Sequence, residues 1–332
     1  KDALLQHQDE QNTATLITAQ TADSEKSRRT VSNAACPAIS DEICGGWFDV
    51  RTLLSAAAQT EECGCQEEAA FPNMILELFQ KAEKTGVFSS IDPHPALRPT
   101  SLRRLSELNE TARKSRLFEL MDMGVLIPCM DGLMVGQNVQ IGAGTTLLPG
   151  TILRGNTKIG ENCTIGPNSL IEDSTVGNNT TLNAVQCYRS SVGCKVSIGP
   201  FCHIRPNTTI RDGVHIGDFV ELKNSDIGQS THIAHLTYIG DSDVGARVNF
   251  GCGVAVANYD GVHKYRCTIG DDAFIGCNTN LVAPVNIGNE GYTAAGSTIT
   301  EDVPDEAMGI ARARQVNKPG YNRLLRRKKD AE

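Results

Sequence analysis

Residues 135–176 divide into consecutive hexads, VGQNVQ, IGAGTT, LLPGTI, LRGNTK, IGENCT, IGPNSL and IEDSTV, and this period decides the fold. Val135, Ile141, Leu147, Leu153, Ile159, Ile165 and Ile171 open the hexads, and Val139, Thr145, Thr151, Thr157, Cys163, Ser169 and Thr175 follow four positions on. One aliphatic and one small or β-branched residue per hexad suits a short strand that points a single large side chain into a narrow interior, so the chain coils. After a slip between Val176 and Leu182 the pattern resumes at Val192, Ile198, Ile204, Ile210, Ile216 and Leu222, and again at Ile269, Ile275, Leu281, Ile287, Thr293 and Ile299. Corners such as Gly160-Glu161-Asn162 and Gly270-Asp271-Asp272 hold residues that accept positive φ or bond their own backbone. The period predicts a parallel β-helix from about residue 133 to 303, three hexads to a coil and roughly nine or ten coils.

Composition agrees with a mainly β protein. Of 332 residues 31 are glycine and 5% are aromatic, which fits a solenoid of aliphatic ladders better than a globule with an aromatic centre. A net charge of −8 gives no general attraction to nucleic acid or to an anionic membrane. No apolar run approaches the ~20 residues that span a bilayer, and no charged-then-apolar leader opens the chain, so a cytoplasmic location is expected. The twelve cysteines lack a disulfide-framework spacing. Cys163 and Cys202 occupy small-residue slots of their hexads. Cys63-Gly64-Cys65, with Cys36 and Cys44, lacks the two-residue spacers of a zinc knuckle and any nearby histidine, so free thiols and no metal are expected.

Organisation changes before the repeats. Residues 1 to about 38 are polar, carry a charged knot at Asp23 to Arg29, and read as an edge strand over Thr13 to Thr18 followed by a loop. Asp41 to Ala58 and Phe71 to Lys84 read as a short strand and helices, with Met74, Leu76, Leu78, Phe79 and Ala82 as an apolar face. Ser101 opens a helix running towards Asp122. The expected division is a small α/β unit with a linker helix over 1–120, the β-helix over 121–303, and over 304–332 an arm ending in the basic run Arg326-Arg327-Lys328-Lys329.

Chemistry is expected where the repeats break. Between Val256 and Ile269 the hexad lapses into Ala257-Asn258-Tyr259-Asp260-Gly261-Val262-His263-Lys264-Tyr265-Arg266-Cys267-Thr268, a loop that a solenoid can extrude without harm to its core. Nearby coils carry Arg205 after Ile204, Lys223 after Leu222, His235 and Tyr238 around Leu236, and Asn249 before Phe250. Any one of these reads as an ordinary outward side chain; their succession in neighbouring coils points to a site.

At these residues the chain resembles the acetyltransferase half of the bacterial bifunctional N-acetylglucosamine-1-phosphate uridyltransferase / glucosamine-1-phosphate N-acetyltransferase family. The resemblance runs through Gly199-Pro200-Phe201-Cys202-His203-Ile204-Arg205-Pro206, Gly217-Asp218-Phe219-Val220-Glu221-Leu222-Lys223-Asn224-Ser225, His235-Leu236-Thr237-Tyr238-Ile239-Gly240-Asp241, Val248-Asn249-Phe250-Gly251 and Asn258-Tyr259-Asp260-Gly261. It continues through Leu281-Val282-Ala283-Pro284-Val285 to Ala311-Arg312-Ala313-Arg314-Gln315 and Lys318-Pro319-Gly320-Tyr321, covering roughly residues 105 to 321. The resemblance implies a left-handed coil, a homotrimer, and N-acetylation of glucosamine 1-phosphate by acetyl-CoA on the way to UDP-N-acetylglucosamine, a cell-wall precursor. By the same resemblance Arg205, Lys223, Tyr238, Asn249 and Lys264 contact the sugar phosphate, and Cys252, Asn258, Tyr259, Cys277, Ala295 and Arg312 line the CoA site. His235 matches the general base. An imidazole ordinarily titrates near neutrality, and such a base contributes ~10²- to 10⁴-fold. Cys252 and Cys277 depart from the alanine and serine common in the family.

Leu16-Ile17-Thr18-Ala19 and Asp23 onward resemble the second half of the family's pyrophosphorylase domain. The glycine-rich phosphate loop and metal-binding aspartate of its first half have no counterpart, and the chain opens on Lys1 rather than methionine, which leaves room for that half upstream. Lys26-Ser27-Arg28-Arg29 replaces the family's Gly-Tyr-Gly-Arg turn, and Glu42-Ile43-Cys44-Gly45-Gly46 replaces Glu-Ile-Asn-Thr-Gly. The front is therefore expected to be a degenerate nucleotidyltransferase-like remnant with no uridyl transfer; magnesium would be needed only if such a site existed. Two other readings stand beside this one: a hexapeptide acyltransferase for another amino sugar, and a non-catalytic binding or regulatory homologue.

Overall fold

The computed structural model of the chain describes residues 14–19, 43–48, 85–90 and 101–323. The chain forms two compact units, Lys1–Thr111 and Ala112–Glu332. In the first, β1 (Ala14–Ala19) lies between β2 (Ile43–Phe48) and β3 (Thr85–Ser90), antiparallel to β2 and parallel to β3. The expected edge strand is thus a central one. Its second neighbour, β3, comes from a stretch more than sixty residues downstream, and short-range pattern cannot reveal such a partner. The helical reading of Phe71 to Lys84, the charged knot at Asp23 to Arg29 and the basic run at 326–329 lie outside the described residues. So do Cys36, Cys63 and Cys65, while Cys44 is described only through the backbone of β2.

Helix α1 (Leu102–Asp122) begins where Ser101 Oγ accepts the Arg104 N–H at 3.1 Å, a side-chain cap on an otherwise unpaired amide. Its last turns close the start of the coil. Leu117 and Leu120 are fully buried in one core with Leu133 and Val139. Arg113 donates to the carbonyls of Met130 at 2.7 Å and Leu133 at 3.1 Å, and Arg116 to that of Val139 at 2.6 Å. The end of the helix therefore packs with the coil.

The coil is a parallel β-helix whose three faces carry ten, nine and ten strands. The first face runs from Met134–Val135 to Thr298–Ile299, the second from Gln140–Ile141 to Val285–Ile287, and the third from Thr146–Leu147 to Met308–Gly309. Each face stacks one aliphatic ladder inward. Leu153, Ile171, Ile204, Leu222, Ile239 and Leu281 fill the first face, and Leu147, Ile165, Leu182, Ile198, Ile216, Ile233 and Phe250 the third, all buried. Burying side chains of this kind contributes ~1.5 to 3 kcal/mol each, so the ladders outweigh the weak pairing of two- and three-residue strands.

The small-residue columns have a second task, because corner backbone groups would otherwise be buried without partners. Thr145 Oγ1 donates to the Gly160 carbonyl at 2.8 Å and accepts the Cys163 N–H at 3.0 Å. Ser190 Oγ lies 2.9 Å from the carbonyl oxygens of both Tyr188 and Arg205, its single proton serving either one. The slip does not break the ladder: Val176 follows Ile171 by five residues instead of six, yet stays buried and paired with Ile159 seventeen positions earlier, the lost residue being absorbed at a corner. The ladder also passes Val303. Val303 bridges Ile287, and Met308–Gly309 pairs with Tyr292–Thr293, although these residues no longer follow the hexad.

Candidate active site

The first face lies between two corners, and most of the polar residues singled out by sequence gather on it or at those corners, Asn249 and Arg312 excepted. At the corner leading to the second face, Arg205, Lys223 and Lys264 line one cleft of about 370 Å3 together with Pro206, Asn207, Asn224 and Asp241. Arg205 and Lys223 project from consecutive coils, each just outside a buried aliphatic, so the inward anchors Ile204 and Leu222 fix where the cations emerge. Lys264 arrives from the extruded loop. That loop is internally tied: Tyr259 bridges Lys264, Asp260 Oδ1 accepts the N–H groups of Val262 at 2.7 Å and His263 at 2.6 Å, and Tyr265 N–H donates to the Asn258 carbonyl at 2.9 Å. Arg266 pins its end, donating to Asp243 and to the carbonyls of Asn224 and Ser242, the latter two at 3.1 Å.

Charge in the cleft is only partly balanced. Arg205 Nη1 meets Glu221 Oε1 at 2.8 Å, and Lys223 Nζ lies 3.5 Å from Asp241 Oδ2. Asp241 is buried and also accepts from the amides of Asn224, at 2.5 Å, and Asn258. Burial works to raise the Asp241 carboxyl, but the two amide donors and the Lys223 charge outweigh it and hold the group below the usual carboxylate range. The neighbouring Lys223 ammonium, with a smaller push from Arg205, lowers Lys264 from the ordinary amine value. The cleft thus holds more positive charge than its carboxylates offset.

The opposite corner, between the third and first faces, carries a column. Leu236 N–H donates to the Asp218 carbonyl at 3.1 Å, Gly253 N–H to that of His235 at 3.2 Å, Asn278 N–H to that of Cys252 at 2.8 Å, and Gly296 N–H to that of Cys277 at 2.8 Å. Asp218, His235, Cys252, Cys277 and Ala295 are therefore stacked coil upon coil. His235 Nδ1 lies 2.5 Å from Asp218 Oδ1. This hydrogen bond, first among the causes, holds the Asp218 carboxyl below its usual value. The neighbouring backbone is packed too tightly for a side chain at Gly217, where a Cβ would sit 1.9 Å from the Ala234 carbonyl oxygen. Beside the column Phe201, Phe219 and Leu236 turn the corner at φ 60°, 55° and 49° and are 62%, 54% and 59% exposed, with the two phenyl rings stacked 5.4 Å apart.

Between the corners, Glu221 and Tyr238 sit in register on the first face. Asn249 stands apart on the third face, in register with His232. Asn258 is buried against Asp241, on the cleft side rather than on the column. Tyr259 is exposed in the loop, its hydroxyl donating to the Gly261 carbonyl at 2.6 Å, and Arg312 is exposed on the arm. Sequence reasoning missed Asp218, Glu221 and Asp241 as partners of the singled-out residues. Among the described residues, no group of three or more His, Cys, Asp or Glu side chains is placed to hold a metal, and no helix is long and apolar enough to cross a membrane.

Residues 138–173 and 189–224 match the bacterial transferase hexapeptide (six repeats) family, and residues 266–301 match the hexapeptide repeat of succinyl-transferase. Repeats of this type fit a left-handed β-helix, and with the coil they define an acyltransferase of the hexapeptide class. The chain is 40% identical over 331 residues to the bifunctional protein GlmU of Halalkalibacterium halodurans, covering 95% of this chain and 73% of that protein. It is 42% identical over 275 residues to GlmU of Clostridium kluyveri, covering 82% of this chain and 60% of that protein. The chain belongs to the GlmU family. A solved UDP-N-acetylglucosamine acyltransferase from Francisella novicida matches at 20% identity over 61% of this chain and 73% of that one, with a TM-score of 0.29 that carries no argument about function.

Proposed function

We propose that the chain transfers the acetyl group of acetyl-CoA to the amine of glucosamine 1-phosphate, giving N-acetylglucosamine 1-phosphate, a precursor of UDP-N-acetylglucosamine and so of the cell wall. The observation that carries this reading is the cleft of Arg205, Lys223 and Lys264 at one edge of the face whose other edge carries His235. Mutual repulsion among the cations is relieved by a phosphate dianion. Arg205 offers a planar fork of donors and the lysines act as point charges. A sugar so anchored extends along the first face towards His235, with the Tyr238 hydroxyl serving its polar edge, while Asn249 on the third face does not front the same sugar. The acetyl donor runs along the column past Cys252 and Cys277 to Ala295, with the exposed Arg312 as a further contact, whereas Asn258 lies on the cleft side against Asp241 and Tyr259 on the loop beside Lys264.

The chemistry needs one proton acceptor. The substrate ammonium first loses a proton to solvent, giving the free amine. As the amine nitrogen attacks the thioester carbonyl, the C–N bond forms, a second nitrogen proton passes to His235, and the C–S bond breaks with its electron pair on sulfur. His235 then returns its proton to the thiolate, releasing CoA and leaving the enzyme unchanged. Product analysis by NMR, after incubation with both substrates, should show the acetyl group on nitrogen; an O-acetylated sugar, or none, would contradict the reading.

The assembly is proposed to be a homotrimer. Its support is the exposed Phe201, Phe219 and Leu236 stripe beside the column, an apolar edge suited to a second copy of the chain. Sedimentation equilibrium should return three copies per particle, and a stable monomer would refute this. The 332-residue chain by itself is further proposed to lack uridyl transfer, because its motifs at Lys26 to Arg29 and Glu42 to Gly46 depart from the family's nucleotide-site pattern. Magnesium-dependent formation of UDP-N-acetylglucosamine from UTP by the purified chain would overturn that proposal.

A further inference from the structure

We propose that Asp218 is a positioning residue for acetyl transfer, holding the His235 ring in the one tautomer and orientation that leaves Nε2 free to take the amine proton. The inference rests on the reading of His235 as the base. Asp218 and His235 are register partners on adjacent coils, and the 2.5 Å contact is made through Nδ1. An ionised carboxylate can only accept a hydrogen bond, and a neutral imidazole has a single N–H. Facing Asp218, that N–H belongs on Nδ1, so the lone pair lies on Nε2.

The other carboxylates of the site are engaged elsewhere: Glu221 with Arg205, and Asp241 with Lys223, Asn224 and Asn258. Asp218 is also rigidly placed. It ends the strand His215–Asp218, follows Gly217 with its close approach to Ala234, and precedes Phe219, whose ring stacks on Phe201. When the amine attacks, the proton that moves from nitrogen to Nε2 makes an imidazolium, and the fixed negative charge on the far side of the ring stabilises it. The Asp218 carboxylate stays unprotonated throughout, while the new proton leaves again with the CoA sulfur.

The test compares Asp218→Asn and Asp218→Glu with the parent protein and with His235→Ala, measuring kcat, both KM values and the 15N spectrum of the His235 ring in protein labelled at its histidines. Asp218→Asn is expected to lower kcat by ~10²-fold or more, as removal of an orienting carboxylate does in a catalytic triad, with both KM values within about twofold. Its ring spectrum should change from one defined tautomer to a mixture. Asp218→Glu, which keeps the charge, should recover part of the turnover. Asp218→Asn turnover within about twofold of the parent, or an unchanged ring spectrum, would overturn the inference. If His235→Ala is inactive while Asp218→Asn is fully active, only the role of Asp218 fails. If His235→Ala itself turns over normally, the reading of the base fails with it.

Discussion

Replacing His235 with alanine is expected to lower kcat for acetyl transfer by ~10²-fold or more while leaving the fold and acetyl-CoA binding nearly intact. The ring is exposed at a corner of the coil and its neighbours Ile233 and Thr237 carry the buried packing, so truncation removes chemistry without opening a cavity. The imidazole acts only as the C–N bond forms, and its loss therefore falls on kcat rather than on KM. Turnover by the variant at the parent rate would mean that another group is the base.

The second large effect concerns the cleft. Alanine at Arg205 or Lys223 should raise the KM for glucosamine 1-phosphate by roughly ten- to a hundredfold, since charge-assisted contacts are worth ~1.5 to 3 kcal/mol each. The weak acetylation of unphosphorylated glucosamine should barely change, because that substrate has no dianion to lose. The Lys223 substitution also leaves the buried Asp241 without its cation. An unfolding midpoint measured alongside the kinetics separates this structural cost from lost substrate binding. Equal and small responses of the two sugars would remove the reason for assigning a phosphate to the cleft.

Much of the fold was legible because a coil repeats one local decision. Val135 to Ile171 show an unbroken hexad, and the inward ladders follow it. The exceptions have physical causes. β1 gains its second partner from a distant segment, and Met308–Gly309 is held by backbone pairing with Tyr292–Thr293 rather than by an aliphatic anchor. The site was legible as single residues but not as pairs. Counting three hexads back from His235 lands on Gly217, whereas the coil there is seventeen residues long and brings Asp218 to the ring. Arg205 sits on a full eighteen-residue coil, Ile204 pairing Leu222, and its side chain reaches diagonally to Glu221, whereas Asn258 reaches Asp241 across a coil of seventeen. Coils that shorten at their corners shift every cross-coil partner, and no fixed period predicts the shift. Cys252 and Cys277 are hidden neighbours for the opposite reason: the extruded loop lies between them and lengthens the interval.

The central claim is that this chain joins the acetyl group of acetyl-CoA to glucosamine 1-phosphate, and release of CoA thiol tests it most directly. With acetyl-CoA held fixed, thiol release is expected to depend on the added sugar, to be fast with glucosamine 1-phosphate, slow with glucosamine, and absent with N-acetylglucosamine 1-phosphate, whose amine is already acylated. Release that is equal with and without the phosphate, or that another amino sugar supports better than glucosamine 1-phosphate, would contradict the account.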